Sequence, residues 1–571
     1  MTEALGRKIT LDDFQIHLGN PCIIYIQNLH MANADWGSEP DMMHIGKLSA
    51  EINPNSLWAG RIEYRKLTVD DFDILLERDA SGMGNWRLDN KPHPPQTGGG
   101  IAIIPKDRAQ FPLLIDMQLR HGLVRLRTSS GKILRIAADN FDIGTDSDSA
   151  PMHLSWQGSY NNIPAQLNAE MDPYQVLHDA AKPDRMHLII ALSKSKLNFV
   201  GTMMNPLDSD GVDGQMQIQT TELGELLSML GIQQPSGLSL SLSGPFTRQG
   251  DHWRWHNTVG ALANNDLSGD LALDEGARAK PDHIDFNLSA GKFDLKSVWD
   301  GLAAGPKMQA GTFDDITALF LNLKLSAEEF LYGSLHLFSP AVELKIEPGK
   351  VALMPSTFIF SGGKTTMSGD ITSARNNLQF TANASISGGK MTQLASWFHA
   401  DPNLLTGDFD IAARLDMSGP ILDQALKSNS RGGMVFSMNG GSVAKDSLEK
   451  TSVDLRTLFH HDDGHVPVQC MLGILYLHNG TGTLDPLKLR TSQGSLTGDG
   501  QIDFMQQRVD IVMQSDAARS GTFALDIPLR ISGPFSNIGI MPASSPNFLH
   551  PAIQNLSAPL QQLAAHNNCL R

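Results

Sequence analysis

Few side chains in this sequence are spaced in a way that could support catalysis or metal binding. Residues 460–465 read His-His-Asp-Asp-Gly-His, but their spacing matches no zinc pattern such as HExxH, so we interpret them as a solvated loop. Adjacent carboxylates such as Asp70 and Asp71 are typical surface residues of an acidic protein. The sequence has no GxSxG elbow, no Walker A loop and no GxGxxG turn after a strand. We therefore predict no catalytic residue, no metal and no cofactor.

The cysteine content limits the redox chemistry of the chain. Three cysteines, Cys22, Cys470 and Cys569, cannot form a dense disulfide framework, and none of them stands in a CxxC pair. One disulfide in an oxidising compartment and three free, mostly buried thiols both remain open at this point.

Charge and composition exclude several other classes of protein. The 571 residues include 45 Lys and Arg against 61 Asp and Glu, a net charge of −16, which repels nucleic acid. Only 6 Tyr and 8 Trp are present, which argues against a sugar-stacking cleft. The sequence contains no apolar run of membrane-spanning length, and its first residues lack the apolar core of a signal peptide. Taken alone, these features predict a cytosolic protein without a nucleic-acid partner.

The dominant pattern is alternation of apolar and polar residues. It is unbroken in residues 238–243 (LSLSLS), 378–387 (LQFTANASIS) and 409–417 (FDIAARLDM). Such alternation places apolar side chains on one face of a strand and polar ones on the other. Ser-Gly-Pro at 243–245, 418–420 and 532–534 closes alternating strands, because Pro cannot continue the hydrogen-bond ladder. The sequence predicts a mainly β protein with antiparallel sheet that has one dry and one wet face.

Helical patterns are few and short. We predict amphipathic helices at Glu222–Leu230, Phe293–Leu302 and Met391–Phe398, with a weaker one at Pro551–Ala565. Lys91–Gly100 (KPHPPQTGGG) is predicted to be a loop or linker. These few helices cannot cover the dry face of a chain this long. Two architectures are therefore open: closed β-sandwiches, or a sheet that curls around an open apolar groove. Alternation alone does not choose between them.

Short motifs in a fixed order run along nearly the whole chain. The sharpest is Gly84-Asn85-Trp86, within DILLERDASGMGNWRLD at 73–89. It is preceded by LGR at 5–7, LGNP at 18–21 and ANADW at 32–36, and followed by GALANNDLSG at 260–269 and LTGDGQI at 496–502. In this order the motifs resemble the AsmA family of Gram-negative envelope proteins, which has an LGR start, an NW signature and similar later elements.

The resemblance implies a fold and a function. AsmA-like proteins are related to bridge-like lipid-transfer proteins and carry a long periplasmic β-groove. We therefore expect an elongated, curled antiparallel sheet that binds and conducts phospholipids between the inner and outer membrane, supporting outer-membrane biogenesis without catalysis. The expected partners are phospholipids, the inner membrane and outer-membrane components. The alternatives are a scaffold that assists outer-membrane protein assembly without carrying lipid and, with no support from the residues, an envelope polysaccharide hydrolase.

The family also suggests a location and a division of the chain. A membrane-spanning helix normally precedes the LGR segment, and this chain starts a few residues before it, so we expect a periplasmic protein whose inner-membrane anchor helix is not present in this chain. We predict an N-terminal region at 1–150, a central β-groove at 151–400, a C-terminal β region at 401–545 and a tail at 546–571.

Particular residues follow from these expectations. Apolar side chains near the middle of the chain are predicted to contact lipid, although a closed core would use the same pattern: Val342, Leu344, Ile346, Phe358, Phe360, Leu378, Phe380 and Ile386. Asn85 and Trp86 are expected to form a structural corner rather than a lipid or partner contact. Cys470 and Cys569 are a possible disulfide that would hold the tail on the body.

Overall fold

The protein is represented by a computed structural model. It describes residues 7–58, 62–77, 84–86, 113–127, 133–179, 181–205, 210–229, 237–276, 281–303, 313, 319–374, 377–397, 401–420, 422–444, 464–492, 494–515, 528–534, 539–543 and 553–570. The chain divides into two compact units. Unit 1 comprises Met1–Leu288 with Ser297–Pro306, and unit 2 comprises Ser289–Lys296 with Lys307–Arg571. The predicted four-part division is not tested by this result and stays a prediction.

Long strands dominate unit 1, and the alternating pattern explains why they form. The strands up to the boundary are β1 Ile9–Thr10, β2 Asp13–His17, β3 Cys22–Ala32, β4 Asp41–Ile52, β5 Glu63–Glu77, β6 Leu113–Leu114, β7 Asp116–Arg127, β8 Ile133–Gly144, β9 Met152–Tyr160, β10 Ile163–Met171, β11 Asp184–Leu192, β12 Ser195–Asn205, β13 Asp210–Thr220, β14 Leu240–Gln249, β15 His252–Leu262, β16 Asn265–Asp274 and β17 His283–Asp294. In β13, Gln215, Gln217 and Gln219 are exposed, whereas Met216 and Ile218 between them are half-buried.

Unit 2 continues with strands of similar length. They are β18 Phe320–Tyr332, β19 Leu335–Glu347, β20 Lys350–Phe360, β21 Gly363–Ala374, β22 Asn377–Lys390, β23 Leu405–Thr406, β24 Asp408–Gly419, β25 Ser430–Met438, β26 Ser442–Ala444, β27 His465–His478, β28 Thr481–Thr491, β29 Ser495–Asp503, β30 Arg508–Ser515, β31 Leu529–Pro534 and β32 Gly539–Pro542.

The helices are short and lie between strands. They are α1 Pro54–Trp58, α2 Tyr174–Leu177, α3 Leu223–Met229, α4 Leu295–Ala303, α5 Met391–Trp397, α6 Leu422–Ser428 and α7 Ala558–His566, with a 3-10 turn at Ile553–Asn555. Four of them coincide with the helices predicted from the sequence. In the part of the chain that the structure describes, no helix combines the length and the apolar character needed to cross a membrane.

Strand pairing is mostly antiparallel between neighbours in sequence, as alternation predicted. In unit 1 this holds from β7 through β16, and in unit 2 from β18 through β22. The expectation of antiparallel pairing is wrong at β5, which runs parallel to β6 and β7. A parallel pair needs a long connection to return the chain to the same end, and 35 residues, 78–112, separate β5 from β6.

Kinks at matching positions interrupt the alternation in unit 1. Asn28 in β3, Asp71 in β5 and His121 in β7 have φ values of 48°, 57° and 49°, and the strand registers place them in line. A residue in this region turns the chain, so the side chains before and after it no longer alternate strictly. Val69 and Phe72, three residues apart, consequently lie in the same apolar cluster. Period-two counting would place them on opposite faces.

Close approach of neighbouring strands explains two glycines on the apolar face. A Cβ at Gly158 would lie 1.9 Å from the Ala137 carbonyl oxygen, and one at Gly260 would lie 1.9 Å from the Ser241 carbonyl oxygen. Any other residue would displace the neighbouring backbone. The predicted class, a mainly β protein of curled sheet with a few short helices, is confirmed.

Candidate functional site

A row of apolar residues crosses unit 1 in register. Each member is the direct cross-strand partner of the next, so all their side chains lie on one face of the sheet. This unit-1 row consists of Ile26, Leu48, Val69, Leu119, Phe141, Trp156, Leu167, Ile190, Leu197, Ile218, Leu242, Gly260 and Leu267, from β3 to β16. Most of these side chains are half-buried, which is unlike the nearly complete burial of a closed core.

The other face of the same strands is polar. On β10, Gln166 and Asn168 are exposed on either side of Leu167, and Gln215 and Gln217 of β13 are exposed on the same side. Two shallow depressions of about 530 Å³ and 440 Å³ occur in unit 1, and the smaller one is lined largely by polar-face residues such as His153, Asn168 and His187. Unit 1 therefore has the one dry and one wet face that the alternation predicted.

Unit 2 carries a comparable row. This unit-2 row consists of Met367, Ala384, Ala413, Met434, Leu475, Leu484, Gly500, Ile511 and Ile531, from β21 to β31. A parallel line two residues away runs through Phe358, Thr365, Ile386, Ile411 and Phe436. Several members of this row are Ala or Gly, so its side chains are on average smaller than those of the unit-1 row.

The structure brings the eight predicted lipid-contacting residues onto one face of unit 2. Ile346, Val351, Ile371 and Phe380 are successive cross-strand partners. Leu344 and Val342 follow Ile346 at alternate positions of β19, and Leu378 and Ile386 flank Phe380 at alternate positions of β22. Phe358 joins the same face through Thr365 and Ile386, and Phe360 is two residues further along β20. Whether this face contacts lipid stays a prediction.

The eight residues differ in how far they are covered. Leu378 and Phe380 are 1% and 8% exposed, and they form a closed cluster with Phe313 and with Ala425 of α6. Val342, Leu344, Ile346, Phe358, Phe360 and Ile386 are half-buried. At the opposite strand ends, Phe409 and Met438 are closed in by Val443 of β26 and Val466. The accessible part of the face therefore lies between these two closed margins.

The C-terminal segment covers the reverse face of β25 and β27. Leu560 and Ala564 of α7 pack on Val435, Leu472 and Ile474, and every member of this cluster is nearly or fully buried. Cys470 and Cys569 are joined by a disulfide, with Cα atoms 5.6 Å apart and a sequence separation of 99.

Asn567 connects the same segment to the sheet. Its side chain is fully buried, and its Nδ2 donates to the Met471 carbonyl oxygen at 2.8 Å and to Ser437 Oγ at 2.9 Å. Its Oδ1 accepts from the Cys569 N–H at 2.8 Å, next to the disulfide. Helix, disulfide and amide together fix the tail on the sheet.

The Gly-Asn-Trp motif forms a buried junction in unit 1. Asn85 is fully buried: its Nδ2 donates to Asn33 Oδ1 at 2.9 Å and to the Leu75 carbonyl oxygen at 2.8 Å, and its Oδ1 accepts from the Glu77 N–H at 3.0 Å. Trp86 is half-buried and its ring folds back over Gly84, where a Cβ would lie 2.4 Å from the ring. A larger residue at position 84 would displace the Trp86 ring, and Asn85 ties β5 to the segment after β3.

Glu77 is the charged member of this junction. Only 3% of it is exposed, and its Oε1 accepts from Asn33 Nδ2 at 2.7 Å and from the Ser38 N–H at 2.8 Å. Burial by itself would raise the pKa of Glu77, but the hydrogen bonds from Ser38 and Asn33, with the positive charge of Arg127, lower it below its ordinary value. The carboxylate is thus ionised and structural.

The next question is whether side chains that could bind a metal ion cluster in the described residues. Within those ranges, no group of three or more His, Cys, Asp and Glu side chains is arranged to hold a metal ion. His460 and His461 of the predicted solvated loop lie outside the described residues, as does the predicted loop Lys91–Gly100.

Sequence reasoning missed the unit-1 row. The prediction named only residues near the middle of the chain, although alternation is also unbroken at 238–243 in unit 1. In the first half the kinks at Asn28, Asp71 and His121 break the period and hide the shared face. The available signal was the recurrence of short alternating runs such as 165–169 (AQLNA) and 216–219 (MQIQ), which could have been aligned strand by strand.

Comparison with known proteins supports a family. No family model matches the chain, and no solved structure matches it. Over 568 aligned residues the chain is 19% identical to the AsmA family protein YhjG of Escherichia coli (strain K12), covering 89% of this chain and 81% of that protein. The resemblance to the AsmA family that the sequence motifs indicated is thereby confirmed over most of the chain.

Proposed function

We propose that this AsmA-like protein is a non-catalytic envelope protein that binds phospholipids on its apolar sheet faces and conducts them between the inner and outer membrane. In this role it supports outer-membrane biogenesis. The observation that carries the proposal is the in-register row of half-buried apolar side chains in each unit. A soluble protein rarely leaves an apolar surface of this extent without a ligand or partner.

The physical properties of the rows suit an acyl chain. Each CH₂ transferred from water to such a surface gains about 0.8 kcal/mol. Neighbouring strands lie roughly 4.8 Å apart, so a row offers closely spaced and chemically similar contacts. Since Leu, Ile, Val and Phe side chains have no hydrogen-bonding groups, they do not hold a lipid at one position. Such a surface favours sliding along the row over binding at a single site.

Two observations support a periplasmic location. The AsmA family is a family of bacterial envelope proteins, and the chain is similar to one of its members along most of its length. The Cys470–Cys569 bond is of the kind that persists in oxidising compartments, of which the bacterial periplasm is one. We propose that the protein functions there, attached to the inner membrane.

Matched substitutions test the proposal. Ala384 lies in the unit-2 row, and Ser385, its neighbour, is exposed on the other face. Leu167 in the unit-1 row and exposed Asn168 form the equivalent pair. Phospholipids extracted from the purified protein and counted by mass spectrometry should fall at least severalfold in Ala384→Asp and Leu167→Asp. Ser385→Asp and Asn168→Asp should retain them. Lipid-free wild-type protein, purified after expression into the envelope, would refute the proposal.

A scaffold without lipid is the second candidate function. It is favoured by the cluster around Leu378 and Phe380, where the chain's own Phe313 and Ala425 fill the apolar face. If the rest of the face were filled in the same way, Ala384→Asp would unfold unit 2, because a carboxylate would be buried without a partner. Circular dichroism melting of Ala384→Asp beside Ser385→Asp separates the candidates.

A further inference from the structure

The larger of the two depressions in unit 1 opens on the polar face of the sheet. Its volume of about 530 Å³ lies within the range of roughly 300–1,000 Å³ that is typical of small-molecule sites. Five of its lining residues are successive cross-strand partners: Ala191, Lys196, Gln219, Ser241 and Ala261. Each of them is next in sequence to a member of the unit-1 row, so its side chain faces the opposite side of the sheet. We call this depression the β11–β15 pocket.

The turn between β11 and β12 forms one wall of the pocket and is held through its backbone. The Lys194 N–H donates to both carboxylate oxygens of Glu225 in α3, at 3.1 and 3.0 Å. The Lys194 carbonyl oxygen accepts from the Thr221 N–H at 3.1 Å. Ser195 Oγ donates to Glu225 Oε2 at 2.5 Å. Glu225 is thus engaged by the turn and does not line the pocket, and the Lys194 ammonium group takes no part in these contacts.

The charged residues that line the pocket are both lysines. Lys194 and Lys196 are exposed, and the described lining contains no Asp, Glu, Arg or His. Within the described ranges, neither lysine forms an ion pair. Two like charges two residues apart repel each other, and a bound anion would remove this repulsion. The pocket is therefore a local cationic site in a chain whose net charge is −16.

Hydroxyl groups complete the set of donors in the pocket. Ser193, Thr221, Ser239 and Ser241 belong to its lining. Ser241 Oγ accepts from the Ala261 N–H at 3.1 Å, which leaves its own hydrogen available for donation. A phosphate monoester carries a charge of about −1.5 to −2 at neutral pH and has three acceptor oxygens. Two ammonium groups and several hydroxyls match that charge and that number of acceptors.

We propose that the β11–β15 pocket binds the phosphate group of an anionic ligand. The ammonium groups of Lys194 and Lys196 balance the charge of the phosphate, and the hydroxyls of the lining donate to its oxygens. A phosphate group fills only part of the volume of about 530 Å³, so the rest of the ligand also fits in the pocket. The inference does not rest on the proposed function, because the pocket and the unit-1 row lie on opposite faces of the sheet.

Isothermal titration calorimetry of the full chain with glycerol 3-phosphate tests the proposal. Titrations in low-salt buffer should show saturable binding, whereas glycerol, which lacks the phosphate, should not bind. Raising the salt concentration should weaken binding, because salt screens the exposed ammonium groups.

A second probe identifies the source of the phosphate. Dihexanoyl phosphatidylglycerol is a phosphate diester with short acyl chains that is used below the concentration at which it forms micelles. Tighter binding of glycerol 3-phosphate assigns the pocket to soluble phosphate esters, and tighter binding of the lipid assigns it to lipid head groups. Either result supports a phosphate site and names the class of its ligand.

Substitutions inside and outside the pocket locate the site. Lys194→Gln and Lys196→Gln should each weaken the binding of glycerol 3-phosphate by at least about fivefold. Ala191→Glu keeps both lysines but places a carboxylate beside Lys196, its cross-strand partner, and should weaken binding as strongly. Lys47→Gln is the matched control, because Lys47 is an exposed lysine of β4 outside the pocket and its loss changes the net charge equally. It should bind as the wild type does.

Two results would overturn the proposal. One is a wild-type chain that binds neither glycerol 3-phosphate nor dihexanoyl phosphatidylglycerol in low-salt buffer. The other is equal binding by Lys194→Gln, Lys196→Gln and Lys47→Gln, which would show that the pocket lysines do not hold the phosphate. Circular dichroism melting curves of these three variants should coincide with that of the wild type, since the substituted side chains are exposed. A loss of binding then reports on the site and not on the fold.

Discussion

Strand β13 of unit 1 and strand β27 of unit 2 differ in how their two faces are covered. In β13, one face is apolar and half-buried, and the glutamines of the other face are exposed. In β27, Leu472 and Ile474 are fully buried beneath α7, while Leu475 on the opposite face is also buried. A strand covered on both faces contributes a closed core, and a strand covered on neither leaves an apolar surface accessible. The described residues therefore include strands that are covered on both faces, such as β27, and strands with an accessible apolar face, such as β13.

The largest expected effect comes from placing a charge in each kind of strand. Leu472→Asp buries an unpaired carboxylate between β27 and α7 and should destabilise unit 2 by more than about 4 kcal/mol. Ile218→Asp on the half-buried face of β13 should cost about 1–2 kcal/mol, because water reaches the new carboxylate. Urea unfolding followed by circular dichroism measures both. Equal losses in the two variants would show that the apolar face of unit 1 is closed.

The disulfide should stabilise unit 2 alone. It closes a loop with a sequence separation of 99, and removing a bond of this kind costs about 2–5 kcal/mol. Cys569→Ser should lower the stability of unit 2 by that amount and leave the unfolding of unit 1 unchanged. Cys22→Ser, at the free thiol, is the matched control and should change stability by less than about 0.5 kcal/mol. A loss in unit 1 would contradict the assignment of the tail to unit 2.

Replacement of Asn85 tests whether its buried side chain holds strand β5 in place in unit 1. Asn85→Ala leaves the Glu77 N–H and the Leu75 carbonyl oxygen without their side-chain partner and should cost about 1–3 kcal/mol in unit 1. Asn168→Ala, at an exposed position, should cost less than about 0.5 kcal/mol. Hydrogen exchange of the β5 amides gives the local readout. Unchanged exchange in Asn85→Ala would show that the junction does not hold β5.

The smallest expected effect is a difference in acid sensitivity. The pKa of Glu77 is lower in the folded state than in the unfolded state. Its ionised form therefore stabilises unit 1 at pH values above the ordinary pKa of about 4.3. This stabilisation is lost as the pH falls through the lowered folded-state pKa. Wild-type unit 1 should lose stability below about pH 4.3 more steeply than Glu77→Gln does. Melting curves recorded between about pH 7 and 3 measure the difference. Parallel curves for the two proteins would show that Glu77 carries no such linkage.

Much of the fold could be predicted because its cause is local. Alternation in segments such as 378–387 specifies a strand with one apolar face regardless of what surrounds it. The helices at Leu223–Met229 and Met391–Trp397 were likewise evident from their own spacing. The parallel pairing of β5 with β7 could not be predicted, since it depends on where the chain returns after residues 78–112. The kinks at Asn28, Asp71 and His121 could not be predicted either, because each of these residue types is compatible with several backbone conformations.

By itself the sequence determined that the protein is built from strands with a dry and a wet face, because side-chain alternation is a property of the extended backbone. It also indicated a resemblance to the AsmA family, through the order of its motifs. Only the tertiary structure decided that Leu167 and Ile218 belong to one row, that Phe380 is covered while Ile386 is half-buried, and that the row ends beside the exposed Phe14 of β2. Register, covering and exposure depend on contacts between residues far apart in the chain, and no local pattern encodes them.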